Sequence, residues 1–291
     1  MEIVSRPDRW LGFGMVSLGL GLALNTILGP LFLALISYPF TLTVYYETLG
    51  LEAVSLVLIA PLAVAAGTLV LRGHRAGAVL ALGPAGYAVY MLLQYVVGPQ
   101  YTTYQPSIAF HLVLFVMSAW LLLRAWTACD MGSLPALSRR WAAVTFLLAA
   151  FVVSRWLPAF AGMINSESVP AAGQDLTMFW SIFLLDMGMI VPATIATGMA
   201  LLLRERWATK GLFGIIGWFA LVPPSVAAMS IVKLVSGDPL ASAADTIVFV
   251  IVTLIFWSLF AWLFRRLFND NRPRAVDAGV SAAAAAPSLC H

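Results

Sequence analysis

The chain reads as an all-α integral membrane protein, a polytopic bundle of about eight transmembrane helices with no soluble domain. Three observations predict this. Of 291 residues, 62% are hydrophobic and 10% charged, with mean hydropathy +0.94; soluble domains carry about 25% charged residues, so this chain lacks the polar surface to cover a globule. Apolar runs long enough to cross a hydrocarbon core of about 30 Å recur along the whole sequence. The basic residues that flank those runs fall only at alternate ends.

Each run has its own punctuation. The first, Trp10–Ser37, follows Arg6 and Arg9 and is too long for a signal-peptide core, so it reads as an uncleaved span. The second, Ala53–Leu71, stops at Arg72, and the third, Ala76–Val97, lies between Arg75 and Gly98-Pro99. Ser107–Leu123 ends at Arg124, and Trp141–Ala161 begins after Arg139-Arg140. Leu176–Leu203 ends at Arg204; like the first run it is long enough to need tilt. Gly211–Val235 follows Arg206 and Lys210, and Thr246–Phe264 closes on Arg265-Arg266, with Arg272 and Arg274 beyond.

The alternate loops carry Glu47, Glu52, Glu167, Asp175, Asp238 and Asp245 and no Lys or Arg. By the positive-inside rule both termini are expected in the cytoplasm and the acidic loops outside. Residues 1–268 form one transmembrane domain on this reading, and 269–291, rich in Ala and Ser, form a disordered cytoplasmic tail. Cys129 and Cys290 both fall on the cytoplasmic side, which argues against a disulfide. Cys290 and His291 are too few for a metal site, and no metal ligand set is expected. High Ala, Gly, Leu and Arg usage points to a bacterial cytoplasmic membrane. The surplus of positive charge follows topology and gives no reason to expect nucleic acid.

The two halves, 1–130 and 131–268, resemble each other at an offset near 131 residues. Arg9-Trp10 matches Arg140-Trp141, and Pro61 and Gly67 match Pro192 and Gly198. Four spans per half predict a 4+4 parallel repeat about an axis normal to the membrane. Asp186 then corresponds to Ser55, Lys233 to about Gln94, and Arg155 to the neighbourhood of Asn25.

Candidate site residues follow from cost. An Asp, Lys or Arg at a span centre costs about 2.5–3.5 kcal/mol on insertion scales, so such residues seek partners or polar cavities. His111, Arg155, Asp186 and Lys233 lie within the predicted spans, with the neutral polar Asn25 and Gln94. At a rise of about 1.5 Å per residue, all six stand roughly 20–34 Å above the nearest basic span end, in the outer half. Asp186 is too short to reach the interface, and Arg155 is its expected partner. Pro30, Pro61, Pro192 and Pro223-Pro224 fall within runs, where each frees a carbonyl, and broken helices beside buried charges are how transporters build solute sites.

Walker A, dinucleotide and His-Glu-x-x-His motifs are lacking, no cofactor is expected, and three histidines with only His111 in a span exclude a bis-His haem. The foremost functional reading is a small-solute or ion-coupled transporter with its site in the outer half. One alternative is an accessory subunit whose partners are other membrane subunits or further copies of itself. A second is a membrane-embedded enzyme or binder acting on a lipid-type substrate.

Overall fold

The computed structural model describes residues 8–99, 101, 105–130, 134–135, 137–165 and 176–269. Expectations resting on Arg6, Tyr104, Glu167, Asp175, Arg272, Arg274 and the tail with Cys290 and His291 lie outside the described residues. Within them the chain is helical, and eight helices are long and apolar enough to cross a membrane. They are α1 (Arg9–Leu28), α2 (Leu42–Leu71), α3 (Ala76–Val97), α4 (Pro106–Ala128), α5 (Trp141–Ile164), α6 (Leu176–Leu203), α7 (Ala208–Val235) and α8 (Ala243–Asn269). The third and sixth match their predicted bounds, and the fourth, fifth and eighth run a few residues longer.

The first span is shorter than predicted. Gly29 is extended (φ −74°, ψ −176°) ahead of Pro30, which disfavours helical backbone in the residue before it. The following turns cap α1 from outside: Leu33 and Ile36 donate to the carbonyls of Ile27 and Leu28 at 3.1 and 2.9 Å. This link carries Tyr38 back against the helices, and Pro30 stands outside α1 rather than within a span.

The second span is longer than predicted. Thr41 caps α2, so Glu47 and Glu52, read from sequence as loop residues, sit on the helix. Neither charge faces lipid. Glu47 is paired by Lys233, and Glu52 is 1% exposed against Gly29.

Prolines break three helices in ways that can be accounted for. Pro61 and Pro192 cannot donate, and their rings crowd the carbonyl four residues back. Each helix widens there into one π turn, Ser55–Ile59 in α2 and Asp186–Ile190 in α6, where the N–H before the proline reaches five residues back: Ala60 to Ser55 and Val191 to Asp186. The two turns lie 131 residues apart. In α7, Pro223 and Pro224 divide the helix into α7a (Ala208–Phe219) and α7b (Val222–Val235). The Ala220 carbonyl, left without a donor by Pro224, accepts instead from the Trp257 indole at 2.9 Å.

Packing follows a common plan. α1 lies on the second segment of α2 and α5 on the second segment of α6; α3 packs on α4, and α7b on α8. The first segment of α2 crosses to α7b, as the first segment of α6 does to α3. At the centre α3 and α7a meet at Gly83 and Gly217, where a Cβ on either would stand 3.1 Å from the other's backbone. Basic span ends gather at one end of the bundle: Arg124 pairs with Asp8 at 2.7 Å, Lys210 donates to the Trp126 carbonyl, and Arg75 to that of Leu267. Cys129, at the same end, is free and buried, and burial pushes its thiol up to about 12.

Candidate functional site

The π turn of α6 places the most diagnostic residue. Asp186 opens that turn, and both its carboxylate oxygens take hydrogen bonds: the Tyr90 hydroxyl of α3 donates to Oδ1 at 2.7 Å, and the Trp156 indole of α5 to Oδ2 at 3.0 Å. Helices α3, α5 and α6 are therefore joined at one carboxylate. Arg155, the partner expected from sequence, forms no ion pair with it. Its guanidinium lies 4.7 Å from the Phe249 ring of α8, and Arg155 is exposed. The reason is helical geometry. Trp156 is the next residue along α5, about 100° round the helix, and it occupies the face toward Asp186, so Arg155 points elsewhere.

Asp186 and Arg155 line one cavity of about 710 Å³, walled by α2, α3, α5, α6, α7 and the start of α8. Gln94 and Lys233 line it too. Lys233 does not reach free for a ligand: its Nζ stands 2.6 Å from Glu47 Oε1, an ion pair joining α7b to α2 at the cavity wall. Gln94, buried, lies one turn from Tyr90 and hydrogen-bonds it. With Asp245 also present, the lining holds two basic side chains and three acidic ones, so the single positive excess that Asp186, Arg155 and Lys233 alone would give does not arise.

The rest of the lining is mainly apolar and aromatic, the usual character of small-molecule sites, and the volume falls in their range of about 300–1,000 Å³. One polar atom in it is unmet: the Trp218 indole N–H is buried with no acceptor. Tyr87 lines the same space and bonds Ser225 at 2.8 Å. Two of the three tyrosines of α3 thus serve both π turns, Tyr90 at Asp186 and Tyr87 close to Ser55.

Asn25 and His111 are elsewhere. His111, fully buried, has Nε2 2.7 Å from Asn25 Oδ1 and 3.3 Å from the Tyr38 hydroxyl, with its ring stacked on Tyr95. Neither lines the cavity, so the six residues read as one layer divide into two groups: Asp186, Arg155, Lys233 and Gln94 in the cavity, and Asn25 with His111 between α1 and α4.

Sequence reasoning missed Glu47, Glu52, Tyr90, Trp156 and Trp218 as polar participants. For the glutamates a signal existed, since the apolar pattern continues N-terminal to Ala53 once two charges are tolerated. For the aromatic residues there was none, because a polar tip on a large apolar ring does not stand out in an apolar run.

Compared with protein-family models, curated proteins and solved structures, the chain matches none, so its function rests on the geometry of these groups.

Proposed function

We propose that this multi-pass protein is a carrier for a small solute bearing opposite charges, with its site in the cavity around Asp186. The observation that carries the reading is the state of three groups in one wall. Asp186 has hydrogen bonds but no cation within 4.0 Å, Arg155 has no carboxylate within that distance, and the Trp218 N–H has no acceptor, all among the described residues. A buried N–H such as that of Trp218 is rarely left unmatched unless a ligand or water completes it, and charges within a span seek partners. A solute with a cationic and an acceptor group meets all three.

Two further features support transport over static binding. The π turns and the break in α7 interrupt helices beside the cavity, as helix interruptions do at the solute sites of transporters. The packing plan repeats at an offset near 131 residues about the Gly83–Gly217 contact, which supports a 4+4 parallel repeat. With the basic ends cytoplasmic, both termini lie inside and the Lys233–Glu47 pair stands toward the outer face of a bacterial cytoplasmic membrane.

The test uses protein reconstituted into liposomes loaded with a pH-sensitive dye and challenged with a mixture of zwitterionic amino acids. Wild type should give a solute-driven internal pH change that Asp186→Asn abolishes while remaining folded and inserted. An unchanged response in Asp186→Asn rejects the site. Recovery of the wild type from native membranes only with other subunits would favour the accessory-subunit reading instead.

A further inference from the structure

A second group of buried polar atoms lies among the first four helices, outside the cavity. Its centre is Glu52 on α2, 1% exposed. Oε2 accepts one hydrogen bond, from the Leu31 N–H at 3.3 Å, and Oε1 has no partner. Both oxygens lie close to Gly29, where a Cβ would stand within 2.7 Å of Oε2 and the carboxyl group would have to shift. Two more atoms in the cluster are unmet: His111 Nδ1 and the Tyr101 hydroxyl are buried with no hydrogen-bond partner.

Among the described residues, no positive side chain compensates this carboxyl group. Among the described residues, the titratable groups near it are Tyr38 in the α1–α2 link and Tyr95 on α3, with Tyr101 and His111 next to those two rings, His111 stacked on both. α1 contributes only the neutral Asn25 and Thr26, the latter donating to the Glu52 backbone carbonyl at 3.3 Å. α7b contributes Lys233, whose ammonium is taken by Glu47. A buried carboxylate without a cation is costly by several kcal/mol, so the native protein must supply a positive charge to it in another form.

We propose that Glu52 is the seat of a bound monovalent cation, a proton or a sodium ion, enclosed by Asn25, Tyr38, Tyr101 and His111. The unmet oxygen of Glu52 and the Tyr101 hydroxyl supply oxygen ligands, or the partners of a water that accompanies the ion. The placement also joins this site to the cavity. Glu47, which pairs with Lys233 at the cavity wall, lies five residues before Glu52 on the same helix, and the π turn of α2 begins three residues after it. Neutralising Glu52 therefore acts on the helix that carries Glu47 to the cavity wall. This coupling rests on the carrier reading; the cation site does not.

The experiment reads binding, not transport. Thermal unfolding of the purified full chain in mild detergent is followed while sodium chloride replaces choline chloride at constant ionic strength, and separately from pH 5 to pH 8. If sodium is the ligand, the wild-type midpoint rises with sodium. If a proton is the ligand, sodium has no effect and the midpoint falls as pH rises, because the native state holds a proton that the unfolded chain releases. Glu52→Gln, neutral in either case, should lose whichever response the wild type shows. A wild type indifferent to both, or Glu52→Gln responding as the wild type does, overturns the proposal. Should Glu52→Gln not fold, Tyr101→Phe removes a ligand atom and keeps the carboxylate. It should then require about tenfold more sodium, or shift the pH midpoint by about one unit, as loss of one ligand or hydrogen-bonding atom implies. No change in that variant also counts against the site. Failure of the Asp186 test leaves this result standing, and the converse holds equally.

Discussion

The first four helices and the last four follow one packing plan by different means. In the first set, backbone meets backbone. A Cβ on Gly67 of α2 would stand 2.6 Å from the Gly12 carbonyl oxygen and 2.9 Å from the Val16 nitrogen of α1, and one on Gly19 would stand 2.6 Å from the Ala60 carbonyl. In the second set the equivalent crossing, 131 residues on, is made through side chains: Gly198 of α6 faces the Thr145 hydroxyl and, at 3.0–3.1 Å, the Phe146 ring of α5. Where α1, α2 and α4 come together, Asn25 Oδ1 and His111 Nε2 meet at 2.7 Å in a buried polar cluster. In the second set, Asp186 and Arg155 stand in the open cavity without mutual pairing. The difference teaches that one architecture yields a sealed polar cluster or an open site according to the size of the residues at the helix crossings.

The sharpest way to break this comparison is to add one methyl group at each crossing. Gly67→Ala drives Cβ into backbone that cannot move alone and should cost about 3 kcal/mol, whereas Gly198→Ala meets side chains that can turn and should cost about 1 kcal/mol. Thermal unfolding in detergent measures both, and equal costs would remove the contrast.

A second pair probes polar satisfaction. Asn25→Leu leaves the fully buried His111 with only the Tyr38 hydroxyl at 3.3 Å and should cost about 2 kcal/mol. Tyr90→Phe removes one of two hydrogen bonds to Asp186, but the cavity can admit a replacing water, so its cost should be about 1 kcal/mol or less. Chemical denaturation midpoints report the ratio, and a reversed order would mean that the Asp186 wall is as sealed as the His111 cluster.

The smallest effect belongs to the bridge between the two sets. Lys233 and Glu47 are partly exposed, with side chains 18% and 30% accessible, so Lys233→Met should lower stability by at most about 1 kcal/mol. The reciprocal change, Lys233→Glu with Glu47→Lys, should restore most of that loss. Failure of the swapped pair to recover would show that the orientation of the pair, not its attraction alone, is used.

Much of this architecture was legible in the residues. Run length and terminal arginines located eight spans, because a helix in lipid must be long, apolar and end at water, but the first was expected to end nine residues too late and the second to begin eleven too late. Pro61, Pro192 and Pro223-Pro224 located the helix breaks, because each removes an N–H from the ladder, although α3 and α5 continue through Pro84 and Pro158. Glu47 and Glu52 were misplaced into a loop for a related reason: a charge in a span looks forbidden until its neighbour is known. Asp186 stood out as costly, but which groups would meet it depended on rotation about α5, where one residue separates Arg155 from Trp156.

By itself, then, the sequence determined what is local and set by solvent: the number of helices, where they end, where they break, and which charges are too costly to face lipid. Tertiary structure alone decided which polar groups meet. It gave Lys233 to Glu47, Tyr90 and Trp156 to Asp186, and no cation to Glu52. Those outcomes depend on helix rotation and on approach distances set by single glycines, quantities that hydropathy along one chain does not encode.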